Sequence, residues 1–171
     1  MVVFDTNFLM LLLDPNAKSS SGKAISDDKE RIDFLVKTLS ARKEKIVIPA
    51  PVIAEFLVGI NPSDREKHIS CLTKSVVFRI EAFGLRAAIE NADLDREIRG
   101  SKGKKGSSEE PWQKIKIDRQ IIAIAKVSGA STLYSMDKGL STLGESVGMI
   151  VVSLAELPLP PESISPMFPG I

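Results

Sequence analysis

Short, unbroken apolar runs alternate along the chain with longer segments in which apolar residues recur at three- and four-residue intervals. Met1-Val2-Val3-Phe4, Ile46-Val47-Ile48, Ser75 to Arg79, Ala130 to Ser135 and Met149 to Val152 are too short for helices and rich in β-branched residues, which predicts five short apolar strands. The periodic segments predict helices between them. From about Asp27 to Lys43, Ile32, Leu35, Val36 and Leu39 stand at i, i+3, i+4 and i+7 among charged residues, and Ser26 offers the N-cap. A helix over Phe8 to Leu13 follows the capping side chains of Asp5-Thr6-Asn7 and is stopped by Asp14-Pro15-Asn16. Another runs from Val52 to Val58, with Pro51 near its first position and Gly59 just past its end. Ser63-Asp64-Arg65-Glu66 fits a capping box for a helix reaching about Thr73, and further helices are predicted over Ala82 to Ile98, Ile117 to Lys126 and Lys138 to Glu145. Strands separated by helices in this way imply an α/β fold: a three-layer α/β/α sandwich around a mainly parallel five-stranded sheet.

Three stretches fall outside the pattern. The Ser/Gly-rich segment from Lys18 to Lys23 predicts a mobile connection, and Arg99 to Pro111 is too polar and glycine-rich to pack, which predicts a flexible inserted loop. After Leu157 come five of the ten prolines, which neither a continuing helix nor a central strand tolerates. The organisation expected is one domain over residues 1–157 and a proline-rich tail over 158–171.

Composition narrows the class. A chain of 171 residues that is 43% hydrophobic has room for one full core, and its net charge of +1 gives no uniform attraction to a polyanion, so only local clusters bear on nucleic acid. Cys71 is the only cysteine; it excludes an intrachain disulfide and a thiolate-rich zinc site, and is expected to pack as a small buried hydrophobe. With no basic leader ahead of the first strand and no apolar segment of membrane-spanning length, the expectation is a cytoplasmic protein without a membrane partner.

Against this background four carboxylates are out of place. Asp5 follows the first strand directly, and Asp137 follows the fourth by two residues, after Ser135. In a parallel sheet both positions collect at the carboxyl edge, the usual location of a ligand site. Glu55 falls among Val52, Phe56 and Gly59 on the helix face expected to pack on the sheet, and Asp118 shares a stripe with Ile121, Ile122 and Ala125. Each has a local alternative: Asp5 as a helix cap, Asp118 as a first-turn partner of the helix dipole, Asp137 as a turn former, Glu55 as half of a buried ion pair. Gathered together, however, they either shift to raised pKa values or demand a cation, and a metal site is the first hypothesis. Oxygen ligands without His or Cys select Mg²⁺ or Mn²⁺ over Zn²⁺.

The segments Val2-Val3-Phe4-Asp5-Thr6-Asn7, Ile48-Pro49-Ala50-Pro51-Val52-Ile53-Ala54-Glu55, Asp118-Arg119-Gln120-Ile121-Ile122-Ala123-Ile124-Ala125 and Leu133-Tyr134-Ser135-Met136-Asp137, in this order, resemble the PIN-domain family, metal-dependent nucleases that include VapC-type toxins. The resemblance reaches to about Val152. It implies metal-ligand and catalytic roles for Asp5, Glu55, Asp118 and Asp137, supporting roles for Thr6 or Asn7 and for Ser135, a homodimer, and an antitoxin or other protein partner. Lys138-Gly139-Leu140 stands where some relatives carry a further acid, which puts a second ion in doubt.

The expected reaction is hydrolysis of RNA phosphodiesters by metal-activated water. Lys102, Lys104 and Lys105 form the densest basic cluster, and Lys114 and Lys116 precede Asp118, so these five are the candidate phosphate contacts. Trp112 beside them either stacks a base or anchors the loop to the core. His68, the only histidine, is expected on a helix surface without a catalytic role. Two other readings stand beside the ribonuclease: a PIN-fold binding or scaffold module without catalysis, and a structure-specific DNA nuclease.

Overall fold

The computed structural model describes residues 1–14, 17, 27–106 and 108–161, apart from the side chain of Lys102. Ser26, the Lys18 to Lys23 connection and residues 162–171 of the tail lie outside the described residues. The five strands are β1 (Val2–Phe4), β2 (Ile46–Pro49), β3 (Phe78–Glu81), β4 (Thr132–Tyr134) and β5 (Ile150–Val152). All pair in parallel, in the order β3-β2-β1-β4-β5. Seven helices among the described residues flank them: α1 (Thr6–Leu13), α2 (Asp28–Ala41), α3 (Ala50–Val58), α4 (Arg65–Lys74), α5 (Leu85–Lys102), α6 (Trp112–Val127) and α7 (Lys138–Ser146). The expected α/β/α sandwich is the observed fold.

The registers Val2↔Ile46 and Val2↔Thr132 place β1 at the centre, and every residue of β1 and β2 is buried, as continuous apolar runs require when helices cover both faces. From β1 the chain steps outward through β2 to β3, then returns to the other side of β1 for β4 and β5. This reversal opens a crevice at the carboxyl ends of β1 and β4, the topological switch point at which α/β sheets bind ligands. Asp5 and Ser135 are the residues immediately beyond those two strands.

Several boundaries differ from expectation for local reasons. The third strand starts at Phe78, not Ser75, because α4 runs on to Lys74 and a turn intervenes. α5 continues through Arg99 to Lys102 before Gly103, at φ 76°, stops it; Arg99 pairs with Asp95 one turn back at 3.2 Å, and the inserted loop is correspondingly shorter. α6 begins a full turn early, at Trp112. The capping box at Ser63 does not form: Asn61 caps a single 3-10 turn over Pro62–Asp64, and Asp64 makes no side-chain cap to α4. Cys71 is exposed, since Leu72 alone carries the buried position of α4. His68 is not a bare surface residue; its ring meets buried Phe56 edge-on at 5.4 Å.

Candidate functional site

Asp5 is the N-cap of α1. Its Oδ1 accepts from the Phe8 amide at 2.9 Å, while Oδ2 accepts from the Ser135 hydroxyl at 2.6 Å and the Met136 amide at 3.2 Å. Ser135, 1% exposed, also accepts from the Asp137 amide at 3.0 Å, so one hydroxyl ties the ends of β1 and β4 together. Asp137 is the N-cap of α7 by the same division of labour: Oδ1 takes the Leu140 amide at 2.8 Å and leaves Oδ2 to the site. Both residues therefore cap a helix with one oxygen; Asp137 keeps the other for the crevice, and Asp5, which lines the same crevice, gives its other to Ser135 and Met136.

α6 returns the chain towards the start of β4, so its N-terminal half lies at the carboxyl edge and carries Asp118 there. Asp118 is in the second turn of α6, which removes the first-turn dipole explanation. Its Oδ2 accepts from Lys114 Nζ at 3.0 Å, the i,i+4 neighbour on the same helix, and that ammonium also lies 2.9 Å from Asp137 Oδ2. Glu55 departs from its predicted place. It is exposed, because the buried stripe of α3 is Val52 and Phe56, and it faces the crevice, where its Oε2 accepts from the Thr6 hydroxyl at 2.5 Å.

All four acids, with Thr6, Asn7 and Lys114, line one cleft of about 880 Å³, whose rim carries the exposed apolar side chains of Val58, Phe83 and Ile117. A second cavity of about 610 Å³ adjoins it, sharing Pro111 and Asp118 and reaching Lys105. The other candidate lysines are dispersed. Lys104 is held over the Trp112 ring at 4.6 Å, with Arg119 at 5.2 Å and Arg99 at 5.8 Å, so Trp112 anchors the basic loop. Lys116 is exposed and lines neither cavity, and the Lys102 side chain lies outside the described residues.

Burial raises the pKa of Asp5 despite the Ser135, Phe8 and Met136 donors. It also raises that of Asp118, against which the pairing with Lys114 is only a partial offset. In Asp137 the same burial is outweighed by the Leu140 amide, Lys114 and the Gly139 amide, and the carboxyl lies below its ordinary value. Two acids on one ammonium thus shift in opposite senses, because only Asp137 also receives backbone donors. For Lys114, desolvation pulls downward, and Asp137 and Asp118 together overcome it.

The donors, carboxylates with hydroxyls behind them, suit a hard cation. Gly139 lets the backbone approach this group closely: a Cβ there would lie 3.3 Å from Asp137 Oδ1, 3.5 Å from Lys114 Nζ and 3.7 Å from Asp118 Oδ2. Among the described residues no three His, Cys, Asp or Glu side chains stand close enough to hold one ion as they are placed, and Lys114 stands between two of them.

Sequence reasoning named Lys114 as a phosphate contact but missed its pairing with the acids, and it missed Gly139 and Arg119 as contributors. The i,i+4 spacing of Lys114 and Asp118 was a readable signal for that pair, but Asp137 joins it only through the fold. Gly139 has no local signature. Arg119, 2% exposed, pairs with Asp95 and donates to the Lys104 carbonyl at 2.9 Å; its place among α6 apolar residues marked it for burial.

Fold and site define a class: a doubly wound parallel sheet with an acidic cleft at its switch point. The PIN domain family model matches residues 2–145, and the chain belongs to the PIN domain family. No curated protein matches it by sequence. Among solved structures it is similar to VapBC2 from Rickettsia felis bound to a promoter DNA fragment, at 15% identity and TM-score 0.55 over 90% of this chain and 98% of that one. It is also similar to VapBC from Salmonella typhimurium bound to DNA (14%, 0.53, covering 90% and 97%) and to the Mycobacterium tuberculosis sarcin-ricin loop-cleaving toxin VapC20 (19%, 0.50, covering 84% and 95%). These likenesses extend over almost the whole of each neighbour and establish a shared fold. No helix among the described residues is long and apolar enough to cross a membrane.

Proposed function

We propose that the protein is a divalent-metal-dependent endoribonuclease, the toxin of a toxin–antitoxin pair. The observation that carries this reading is the convergence of Asp5, Glu55, Asp118 and Asp137 from four separate elements on one cleft. Family membership supports a nuclease; similarity to a sarcin-ricin loop-cleaving toxin favours RNA over DNA, and similarity to VapBC complexes favours an antitoxin partner.

In this reading Asp5 and Asp118 are the principal ligands of Mg²⁺ or Mn²⁺, and Glu55 and Asp137 complete or bridge the set. The ion would supply polarisation of water and neutralisation of charge on the phosphodiester. The chain's own part is positioning. Ser135 orients the Asp5 carboxylate, Thr6 orients Glu55, and Lys114 and Lys105 offer ammonium groups beside the acids to the phosphate chain. The apolar rim of Val58, Phe83 and Ile117 suits stacked bases or a protein partner.

Asp5→Asn and Asp118→Asn should each lower metal-dependent RNA cleavage by about 10²-fold or more, the scale of losing one electrostatic element of a hydrolytic site. The assay is product mapping on RNA and single-stranded DNA with protein cleared of contaminating nucleases. Wild-type rates in both variants would sink the enzyme and leave a binding module, while preferential cleavage of DNA would replace the substrate.

A further inference from the structure

Among the described residues, Lys114 is the one cation paired with the acids of the cleft, and it meets two of them at 3.0 and 2.9 Å. A helix delivers it. Lys114 lies one turn before Asp118 on α6, with its side chain 32% exposed, so its ammonium is set by α6 and not by the neighbouring loop. Asp137 has already given Oδ1 to the Leu140 amide, and the oxygen that Lys114 takes is the one left to face the cleft. The backbone closes over the same point: a Cβ on Gly139 would come within 3.5 Å of the ammonium and 3.3 Å of Asp137. The first turn of α7 contributes no acid that could draw a further ion there.

A Mg²⁺ or Mn²⁺ ion bound by two carboxylates keeps several waters and needs the room they occupy. Between Asp118 and Asp137 that room is taken by an ammonium making two charge-assisted contacts. Asp5 forms no hydrogen bond or ion pair with Lys114; its donors are Phe8, Ser135 and Met136. We propose that Lys114 permanently fills one of two cation positions in the cleft, the one between Asp118 and Asp137, so that this site takes a single divalent ion with Asp5 among its ligands. The inference rests on the metal-dependent reading above. A lysine ammonium has three N–H donors, and with two committed to carboxylates the third is left for a phosphate oxygen, so a structural charge and a substrate contact are compatible in one residue.

The test is the stoichiometry of Mn²⁺ binding, read by calorimetry and by the electron paramagnetic resonance of free Mn²⁺, on nucleic-acid-free full-length protein. Wild type and Lys114→Arg should bind one ion. Lys114→Met, which keeps the stem and removes the charge, should bind two, and Asp5→Asn should lose the ion that wild type binds. Two ions on wild type overturn the proposal, a result that needs no variant to fold. One ion on Lys114→Met, whether bound tighter or not, also overturns it while leaving the metal reading intact. No ion on wild type overturns both. In wild type saturated with Mg²⁺, the Lys114 ammonium resonance should stay protected from solvent exchange; its release to an exposed-lysine signal would mean that the ion expels it, again contrary to the proposal.

Discussion

Replacing Ser135 by Ala should destabilise the metal-free protein by an amount that depends on the charge of Asp5. The hydroxyl is 1% exposed, donates to Asp5 Oδ2 at 2.6 Å and accepts from the Asp137 amide at 3.0 Å. A hydrogen bond to a charged group contributes about 1.5–3 kcal/mol, and the amide left without its acceptor adds roughly 0.5 kcal/mol after allowance for partial burial. The expected loss is about 2–3.5 kcal/mol, or roughly 4–14 °C in melting temperature for a domain of this size. Because the hydroxyl stabilises the carboxylate form, its loss should raise the Asp5 pKa further, and the stability difference should shrink in mildly acidic buffer towards the ~1 kcal/mol of a neutral hydrogen bond. Urea unfolding followed by circular dichroism in chelator-containing buffer, at neutral and mildly acidic pH, measures both quantities. In an Asp5→Asn background the cost of Ser135→Ala should fall by about 1–2 kcal/mol, the coupling of two groups in contact. A loss below about 0.5 kcal/mol at neutral pH, the size of an ordinary surface substitution, would refute the claim that this hydroxyl ties the two strand ends together, and a loss indifferent to pH would refute its link to the Asp5 charge.

Three further outcomes are expected. Arg119→Met should cost about 2–3 kcal/mol, less than a fully buried pair because Asp95 is 24% exposed, and should speed amide exchange in residues 103–106; unchanged exchange there would show that Trp112 alone holds the loop. Gly139→Ala should leave Mn²⁺ affinity close to that of wild type with little change in melting temperature, since its Cβ crowds Asp137 and Lys114 at the position the ammonium fills while the helix gains about 0.5–1 kcal/mol of propensity; a loss of about tenfold or more in Mn²⁺ affinity would place the ion at this point instead. In chelator, stability should fall as pH rises from the ordinary carboxylate range through the raised values of Asp5 and Asp118, because the folded chain holds protons there that the unfolded chain has released. Asp137 works in the opposite sense at lower pH, where its contribution is lost as pH falls through its depressed value. Saturating Mg²⁺ should remove the decline attributed to Asp5 and Asp118, and urea midpoints that rise across that window in chelator would contradict the assignment.

The fold was legible because its signal is redundant. The two central strands are unbroken apolar runs, the helices are periodic, and the alternation of the two admits few topologies; the edge strand Phe78–Glu81, which carries Arg79 and Glu81, was the one whose start was misplaced furthest. The acids were legible as residues and not as geometry. For Asp5 and Asp137 the helix-cap or turn reading and the site reading looked like rivals, yet a carboxylate has two oxygens: both residues cap with one, and the other goes to Lys114 from Asp137 and to Ser135 and Met136 from Asp5. Glu55 was assigned to the buried face because its neighbours are apolar; a helix of nine residues with only Val52 and Phe56 buried leaves room for an exposed Glu between them. The basic cluster was the least legible. Adjacent lysines in sequence do not share a direction, and here Lys104 turns onto Trp112 while Lys105 reaches the second cavity.

The site is also uneven in charge, and this unevenness argues for where an ion belongs. Asp118 and Asp137 share an ammonium, whereas Asp5 and Glu55 receive only neutral donors among the described residues. Desolvation raises the Asp5 pKa most directly, with no cation beside it to offset the cost. On the metal-dependent reading, a divalent ion would therefore stabilise the cleft most where it neutralises Asp5, and least where it would have to compete with Lys114. Removing Lys114 would reverse that order by leaving Asp118 and Asp137 as two unpaired carboxylates, so on the same reading its charge, more than any single acid, would determine how many ions the cleft holds.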